Sequence, residues 1–391
     1  MLVTVLLDAI AIGMMLPALP KLVEHFVPGD TARAAQIYGV FGMAWGLMQF
    51  IGSPILGALS DRYGRRPVIL LSNLGLGLDY IVMALAPTLS VLLIGRLLAG
   101  LTAASFATAF AYVADVTREE NRAAEFGKIG AAFGLGFIVG PAMGGLLAGI
   151  DARLPFWVAA GLSLANFGYG YFVLPESLDM DKRTPFRWRR ANPWGAMRLL
   201  LRNRRLLGLA TVSFLDSLAL ISLPATFVLY ATHKFGWSDQ TVGWAFASTG
   251  IGLAIAHALV TGPVVRLFGE RGTLVGGLLL GTVGFSLYGV SWDSWVIWAA
   301  IPIIALWGLA ESAMQSLMSA EVPLHEQGQL QGALASLVAL AETVGPLIFT
   351  QVYAAAITWG AGWAPAGSPY LVAAVLQLLA AGIALASTRR K

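Results

Sequence analysis

Seven ionisable side chains stand inside stretches that are otherwise apolar: Asp8, Asp79, Arg96, Asp216, His257, Glu311 and Glu342. Placing an acidic or basic side chain at the centre of a hydrocarbon layer costs about 2.5–3.5 kcal/mol on insertion scales, so each one suggests a function. Desolvation favours the neutral form of a carboxyl group and a nearby cation favours the charged form. A buried carboxylate therefore exchanges a proton when a conformational change alters its surroundings, which is the chemistry that proton coupling requires. Arg96 keeps its proton at any working pH and needs either an acceptor or a watery cavity. Asp8, Asp79, Arg96 and Glu342 are the proton-coupling candidates, and Gln49, Asp216, His257 and Glu311 the candidates for a substrate cavity. For each acid the competing reading is a structural carboxylate with an internal partner, and for His257 a polar packing residue. Phe106, Phe110, Trp244 and Trp307 are aromatic candidates for lining the same cavity, against core or lipid packing.

Two further motifs concern the machinery around these groups. The hydrophilic stretch 57–67 gathers Asp61, Arg62, Arg65 and Arg66 between two apolar runs. Gly57 and Gly64 permit tight backbone turns there, and Pro67 suits the first turn of a helix. So short a connection makes the flanking helices antiparallel neighbours, with the charges on the cytoplasmic side. The second motif, over 134–145, holds Gly136, Gly140, Pro141, Gly144 and Gly145. Small residues at this density predict close helix packing, and Pro141 predicts a kink. Gly345-Pro346 repeats the dipeptide near Glu342, where a helix break would bare backbone groups to a cavity.

The elements that must position these residues are membrane helices. The chain has 391 residues, of which 57% are hydrophobic and 12% charged, which excludes an ordinary soluble domain. Apolar runs of membrane-spanning length recur at 2–22, 38–59, 67–86, 89–113, 126–149, 154–174, 206–231, 239–263, 272–291, 295–319, 329–356 and 369–387. The fold class expected is an all-α membrane protein of twelve transmembrane helices in two pseudo-symmetric halves. The first run carries Asp8 and lacks a basic leader and a small-residue cleavage site, so it reads as a membrane helix. With both termini inside, twenty of the 25 Lys and Arg fall on the cytoplasmic face and four on the outer face, with Arg96 within the membrane. The net charge of +4 thus serves topology and needs no nucleic acid, and the lack of cysteine excludes disulfides.

The chain divides into a half at 1–174, a cytoplasmic linker at 175–205 and a half at 206–391. The linker is rich in Pro, Trp and Arg, and an interfacial helix is expected near Asn192–Leu201. At an offset of 205, Gly57, Gly64 and Gly140-Pro141 recur as Gly262, Gly269 and Gly345-Pro346; Asp8 before Pro17 is answered by Asp216 before Pro224. Such repeats point to a secondary transporter with its path between the halves. No metalloprotease, nucleotide-binding or nucleophile-elbow motif is present, so neither hydrolysis nor ATP drive is supported.

The 57–67 stretch resembles the signature loop between helices 2 and 3 of the major facilitator superfamily. Nearly the whole chain is similar to the tetracycline–proton antiporters of bacterial inner membranes. The matching strings include 7–13, 54–67, Leu78-Asp79-Tyr80, Gly95-Arg96, Ala114-Asp115, Leu174-Pro175-Glu176-Ser177 and Gly345-Pro346-Leu347. The helix 5 string resembles the signature of drug–proton exporters, which weighs against a nutrient symporter. The resemblance implies a charge latch at Asp61, Arg65 and Arg66, proton transfer at Arg96, and functional roles for Asp8 and Asp79. It implies a multi-pass inner-membrane exporter of amphiphilic drugs, with no cofactor and with a magnesium chelate as a form of the substrate. Where that family has an aspartate in helix 9 and a glutamine in helix 7, this chain has Gly281 and Leu218. Its helix 8 histidine maps near Leu253, one turn before His257. A different drug or a metabolite in the same fold is the alternative; a non-transporting membrane sensor is a further one.

Overall fold

The computed structural model describes residues 1–103, 105–118, 122–183, 198–202, 204–323, 327–359 and 365–388. Among the described residues fourteen α-helices run in order: α1 (Leu2–His25), α2 (Thr31–Tyr63), α3 (Arg65–Leu85), α4 (Leu89–Thr102), α5 (Ser105–Val116), α6 (Arg122–Ala148), α7 (Leu154–Val173), α8 (Arg204–Phe235), α9 (Asp239–Ile255), α10 (Thr261–Val290), α11 (Ser294–Trp307), α12 (Leu309–Ala320), α13 (Gln327–Trp359) and α14 (Ser368–Ser387). A π-helical turn, Ala256–Val260, joins α9 to α10.

Nine helical stretches among the described residues are long and apolar enough to cross a membrane. One of them, Asp239–Val290, has 52 residues. At 1.5 Å per residue it would be about 78 Å long, far beyond a hydrocarbon core of about 30 Å, so it must fold back. It does so at Gly269, whose φ of 69° and ψ of 169° interrupt α10. The polar connection expected between two spans is thus reduced to a single non-helical residue. α4 with α5 occupies the single run 89–113, and α7 is long enough but diluted by glycine, tyrosine and Asn166. Together these supply the twelve crossings of an all-α membrane protein.

Many helices extend past their apolar runs, because polar end residues continue the hydrogen-bonding pattern beyond the hydrocarbon. Pro346 lies inside an uninterrupted α13, and Pro141 inside an uninterrupted α6. The helix break expected at Gly345-Pro346 is absent. The interfacial helix expected near 192–201 falls mostly outside the described residues; its end, Arg198–Leu201, is a 3-10 turn.

The described chain forms two compact units. The first holds Met1–Phe26, Ala44–Asn192 and Ser238–Ala247; the second holds Val27–Met43, Pro193–Trp237 and Ser248–Lys391. In the first unit α1 packs on α6 and α7, and α3 packs on α7, α4 and α5. In the second, α8 packs on α13 and α14, and α10 packs on α14, α11 and α12. The two sets of pairings match element for element.

In the first unit α1 and α6 approach closely along a stripe of glycines. Gly136, Gly140 and Gly144 follow one another every four residues and so share one face of α6. A Cβ at Gly140 would lie 2.6 Å from the Ile10 carbonyl and 2.8 Å from Gly13 Cα, and one at Gly144 would lie 2.5 Å from the Met14 carbonyl. Gly136 faces Ala9 and Ile10, and Pro141 Cδ packs against Gly13. Gly145 points to another neighbour, the backbone of Asp239 and Gly243. Gly134 has open space. Helix backbones brought this close need the missing side chains.

Gly140→Ala should lower the thermal unfolding temperature of the purified protein, with a cost of about 1–3 kcal/mol for overpacking. Gly134→Ala, on the same helix with nothing in its way, should leave it unchanged or raise it, since alanine is the better helix residue.

Candidate functional site

The first cluster is the charged end of the α2–α3 hairpin. Gly64 separates the two helices with φ 108° and ψ 163°, a conformation that other residues rarely adopt. The turn makes Arg65 the first residue of α3. Its Nη1 donates to Asp61 Oδ1 at 2.5 Å and to Ser60 Oγ at 2.7 Å, and its Nε donates to Asp115 Oδ2 at 3.0 Å. A guanidinium offers several donors in a fixed fork, which suits one arginine to join three side chains. Arg66 donates to the Tyr171 carbonyl at the end of α7 and lies 5.6 Å from the Tyr171 ring centroid. Arg62 is exposed and lies 5.0 Å over its neighbour Tyr63.

Glu176 completes this cluster. Its Oε1 accepts from the backbone N–H groups of Arg65 (2.8 Å), Ser177 (2.9 Å) and Leu178 (3.0 Å), and its Oε2 accepts from Arg66 N at 3.2 Å. A carboxylate from 111 residues away thus caps the first turn of α3, where free N–H groups and the helix dipole favour negative charge. A Cβ on Gly64 would collide with that carboxylate. Gly64 is therefore required twice, for its backbone and for the seat of Glu176.

The second cluster lies deep in the same unit. Arg96 of α4 donates from Nη2 to Asp79 Oδ2 of α3 at 2.6 Å, and the Asp79 side chain is fully shielded from solvent. Asp79 Oδ1 and Arg96 Nε are buried without hydrogen-bond partners. Gly95 makes the pair possible, because a Cβ there would stand 2.6 Å from Asp79 Oδ1. Arg96 does not snorkel outward; it is committed to this acid.

Asp8 belongs to a different network. It is buried, and Asn166 of α7 donates from Nδ2 to Asp8 Oδ1 at 2.9 Å and to the Thr4 carbonyl at 2.9 Å. Asn73 of α3, with its amide nitrogen turned inward, donates to Asp8 Oδ2 at 3.1 Å. Asp8 is thus held by neutral carboxamides from α3 and α7.

In the second unit Asp216 of α8 takes a comparable position. Trp307 donates from Nε1 to Asp216 Oδ1 at 2.7 Å, and Gln377 of α14 donates from Nε2 to the same oxygen at 2.9 Å. Trp307 sits at the break between α11 and α12, and its ring lies against Gly281, where a Cβ would be 2.8 Å away. Beside this break Ser312 Oγ lies 3.2 Å from His257 Nδ1, and Gly308 lies against His257. His257 occupies the π-helical turn, a feature common at functional sites. Glu311 is exposed, and its charge reaches Asp216. The structure therefore brings Asp216, His257 and Glu311 to one region around Trp307–Gly308. Gln49 and Glu342 are half-buried on α2 and α13. Trp307 acts as a hydrogen-bond donor to an acid, whereas the sequence suggested only a lining aromatic.

Five partners escaped the sequence reading of the site: Asp115, Glu176, Asn73, Asn166 and Gln377. The first two stand in quoted motifs, and their acidity at helix ends was a usable signal. The three amides had none, since a lone Asn or Gln in an apolar helix does not declare which acid it meets.

Twelve crossings, matched packing in two units, and carboxylates buried in each define a multi-pass secondary transporter and not an enzyme. The chain belongs to the Major Facilitator Superfamily, whose family model matches it over residues 1–346 and again over 209–389. Among curated proteins it is 40% identical to the "Tetracycline resistance protein, class C" of Escherichia coli, over 94% of this chain and 93% of that one. It is 39% identical to the class G protein of Vibrio anguillarum, over 95% and 93%. Among solved structures it is similar to the human organic anion transporter MFSD10 (TETRAN), with a TM-score of 0.73 and 26% identity over 98% of this chain and 97% of that one. The nucleoside transporter NupG shares the fold, with a TM-score of 0.78 at 14% identity over 100% and 98%. With these relatives, the chain is a multi-pass protein of the bacterial inner-membrane type.

Removing Arg96 alone should be far worse than removing the pair. Arg96→Ala leaves a buried unpaired carboxylate, at a cost of about 3–5 kcal/mol, whereas Asp79→Asn with Arg96→Gln should recover most of it. Thermal unfolding of the three proteins in detergent decides this. Glu176→Ala should cost about 1–3 kcal/mol through the unsatisfied N–H groups of Arg65 and Arg66. The same measurement checks it, with Glu176→Gln retaining part of the loss as an acceptor without charge.

Proposed function

We propose that this chain exports a tetracycline-like amphiphile across the inner membrane in exchange for protons, by alternating access between halves at 1–174 and 206–391 joined by the linker 175–205. Both termini lie in the cytoplasm in this reading. The observation that carries most weight is the likeness to tetracycline resistance proteins along more than nine-tenths of the chain. The buried Asp79–Arg96 pair supplies the chemistry.

Asp79 and Arg96 form the proton-coupling centre, with Asp8 and Glu342 as further acids. A proton arriving from outside on Asp79 removes the charge that Arg96 faces at 2.6 Å, so the guanidinium is freed to move and α3 and α4 to shift against each other. Release of that proton inward restores the pair. Asp61, Arg62, Arg65 and Arg66 form the cytoplasmic gate. Arg65 is its fulcrum, because its bonds to Asp61 and Asp115 tie the α2–α3 hairpin to α5. The stripe Gly136, Gly140, Gly144, with Pro141 and Gly145, keeps α1 and α6 in register during the cycle. Asp216, His257 and Glu311 of the second unit contribute polar contacts to the substrate, with Gln49 of the first as a separate candidate, and a bound magnesium ion would accompany the substrate as a chelate.

A second reading, an exporter of a different amphiphile in the same fold, is favoured by one feature. Trp307 fills the space beside Gly281, so no acid can stand at that helix 9 position without displacing the ring. The drug-contacting environment of the second unit therefore differs from the family pattern.

Energised inverted vesicles containing the protein should lose their pH gradient when tetracycline and magnesium are added. Asp79→Asn vesicles should not respond. If wild-type vesicles stay inert to tetracycline but respond to another amphiphile, the second reading replaces the first. A response that persists undiminished in Asp79→Asn removes that residue from the coupling path.

A further inference from the structure

We propose that Asp216, with Gln377 and Trp307, is a proton-binding site of the second unit, the counterpart of Asp8 with Asn166 and Asn73. The proposal rests on the transporter reading above for its place in a cycle, but its geometry stands independently.

The two sites share a design. In the first unit the carboxamide of Asn166 donates from nitrogen to Asp8 Oδ1 at 2.9 Å, and its own oxygen is buried without a partner. In the second unit the carboxamide of Gln377 donates to Asp216 Oδ1 at 2.9 Å, and its own oxygen is likewise buried without a partner. Both amides are completely enclosed. A buried acceptor left unmade carries a desolvation penalty, so an orphan at each of two repeat-related positions asks for a missing donor. A proton on the neighbouring carboxyl group is such a donor. The carboxamide is the side chain that suits both states: its nitrogen donates to a carboxylate, and its oxygen accepts from a carboxylic acid. Trp307, which can only donate, keeps one carboxyl oxygen as an acceptor in both states and leaves the other to carry the proton.

The charged surroundings of Asp216 agree with this. α12 brings Glu311, whose negative charge reaches Asp216, and α11 and α12 hold no Lys, Arg or His. α13 carries Glu342 as its one acid and no basic residue, and α14 contributes Tyr370 as its one titratable group. α10 meets α8 through Tyr288, with Arg266, Glu270 and Arg271 at its other end. On α8 itself the nearest cations are Arg204 and Arg205, the latter 2.8 Å from Glu321, and these lie about 16 Å or more along the axis from Asp216. His233 and Lys234 are further, at the opposite end, as are Arg198 and Arg202 in the turn preceding α8. No cation on these helices takes the role that Arg96 takes for Asp79; His257, on the π-helical turn beside Gly308, has Ser312 as its partner. In the chemical step hydronium gives its proton to the free Asp216 oxygen and leaves as water, the carboxylate becomes a neutral acid, and the reverse transfer returns the proton to water, as hydronium, on the other side.

The test is infrared difference spectroscopy on the full-length protein in lipid, titrated with acid and without drug. The wild type should show a protonated-carboxyl carbonyl band that titrates and is absent from Asp216→Asn. That variant keeps the oxygen that Trp307 and Gln377 address, so folding is preserved. In Gln377→Met the band should persist but move, because its hydrogen-bond partner is gone; a purely structural role would give no such shift. An Asp216→Asn protein whose carboxyl bands and pH profile match the wild type overturns the proposal. Drug-driven proton flux in inverted vesicles, with tetracycline and magnesium as the probe, separates the two readings. A wild type with the band but no flux for any amphiphile overturns the exporter reading and leaves the proton site standing.

Discussion

Asp79 and Arg96 meet at 2.6 Å in a place closed to solvent, and the architecture of the first unit follows from keeping them there. Neither charge could remain alone in hydrocarbon, so α3 and α4 must hold their separation to within a fraction of an ångström. Gly95 is the local condition, since any side chain there would occupy the space of Asp79 Oδ1. The hairpin end sets the direction of α3 from outside the membrane. Gly64 turns the chain, and Glu176 pins the first turn of α3 through the backbone N–H groups of Arg65 and Arg66, while those of Ser177 and Leu178 hold the carboxylate in its own segment. A helix capped from the end of α7 and paired at its middle to α4 can shift only if one of these contacts is released.

The internal repeat is visible in the contacts as well as in the sequence. Arg66 donates to a carbonyl at the end of α7, and Arg271 donates to the Leu385 carbonyl near the end of α14 at 3.2 Å. Gly64 and Gly269 both carry positive φ. The repeats then diverge where charge is used. Gly64 has Glu176 against it, whereas Gly269 has nothing within 4 Å. Gly140 meets Gly13, but Gly345 meets the side chains of Ile221 and Leu218, so α13 cannot approach α8 as closely as α6 approaches α1. The first unit therefore holds the glycine-stripe contact and the buried ion pair, whereas each unit holds an amide-partnered acid.

Much of the fold was legible because hydrocarbon demands long apolar runs and tolerates few charges. The twelve crossings, the charged hairpin and the intramembrane acids all follow from that rule. What was not legible has physical reasons. The reversal at Gly269 lies between the runs 239–263 and 272–291 and repeats Gly64, so it was legible; what was not is that helix continues on both sides up to that one residue. The π-helical turn at Ala256–Val260 leaves no mark on composition. Proline suggested a break at Gly345-Pro346, but an apolar helix tolerates the lost N–H when neighbours pack around it, and α13 continues. Asn166 and Gln377 escaped notice because a neutral amide costs less to bury than a charge, and its partner is 158 or 161 residues away.

The acids so found fall into two kinds, and the difference bears on how one chain can couple several of them. Asp79 shares its site with a fixed cation, so gaining a proton changes the electrostatics of the pair and frees Arg96 to move. Asp8 and Asp216 face carboxamides, which serve a carboxylate with one end and a carboxylic acid with the other. Protonation there changes which atoms are bonded without leaving a bare charge behind. An ion pair is suited to driving movement, because its loss removes a strong attraction. An acid–amide pair is suited to holding a proton, because the carboxamide oxygen that lacks a partner beside the carboxylate gains one when the acid is protonated. This chain has the first kind in one unit and the second in each, and on the proposed reading the first shifts helices while the second holds protons.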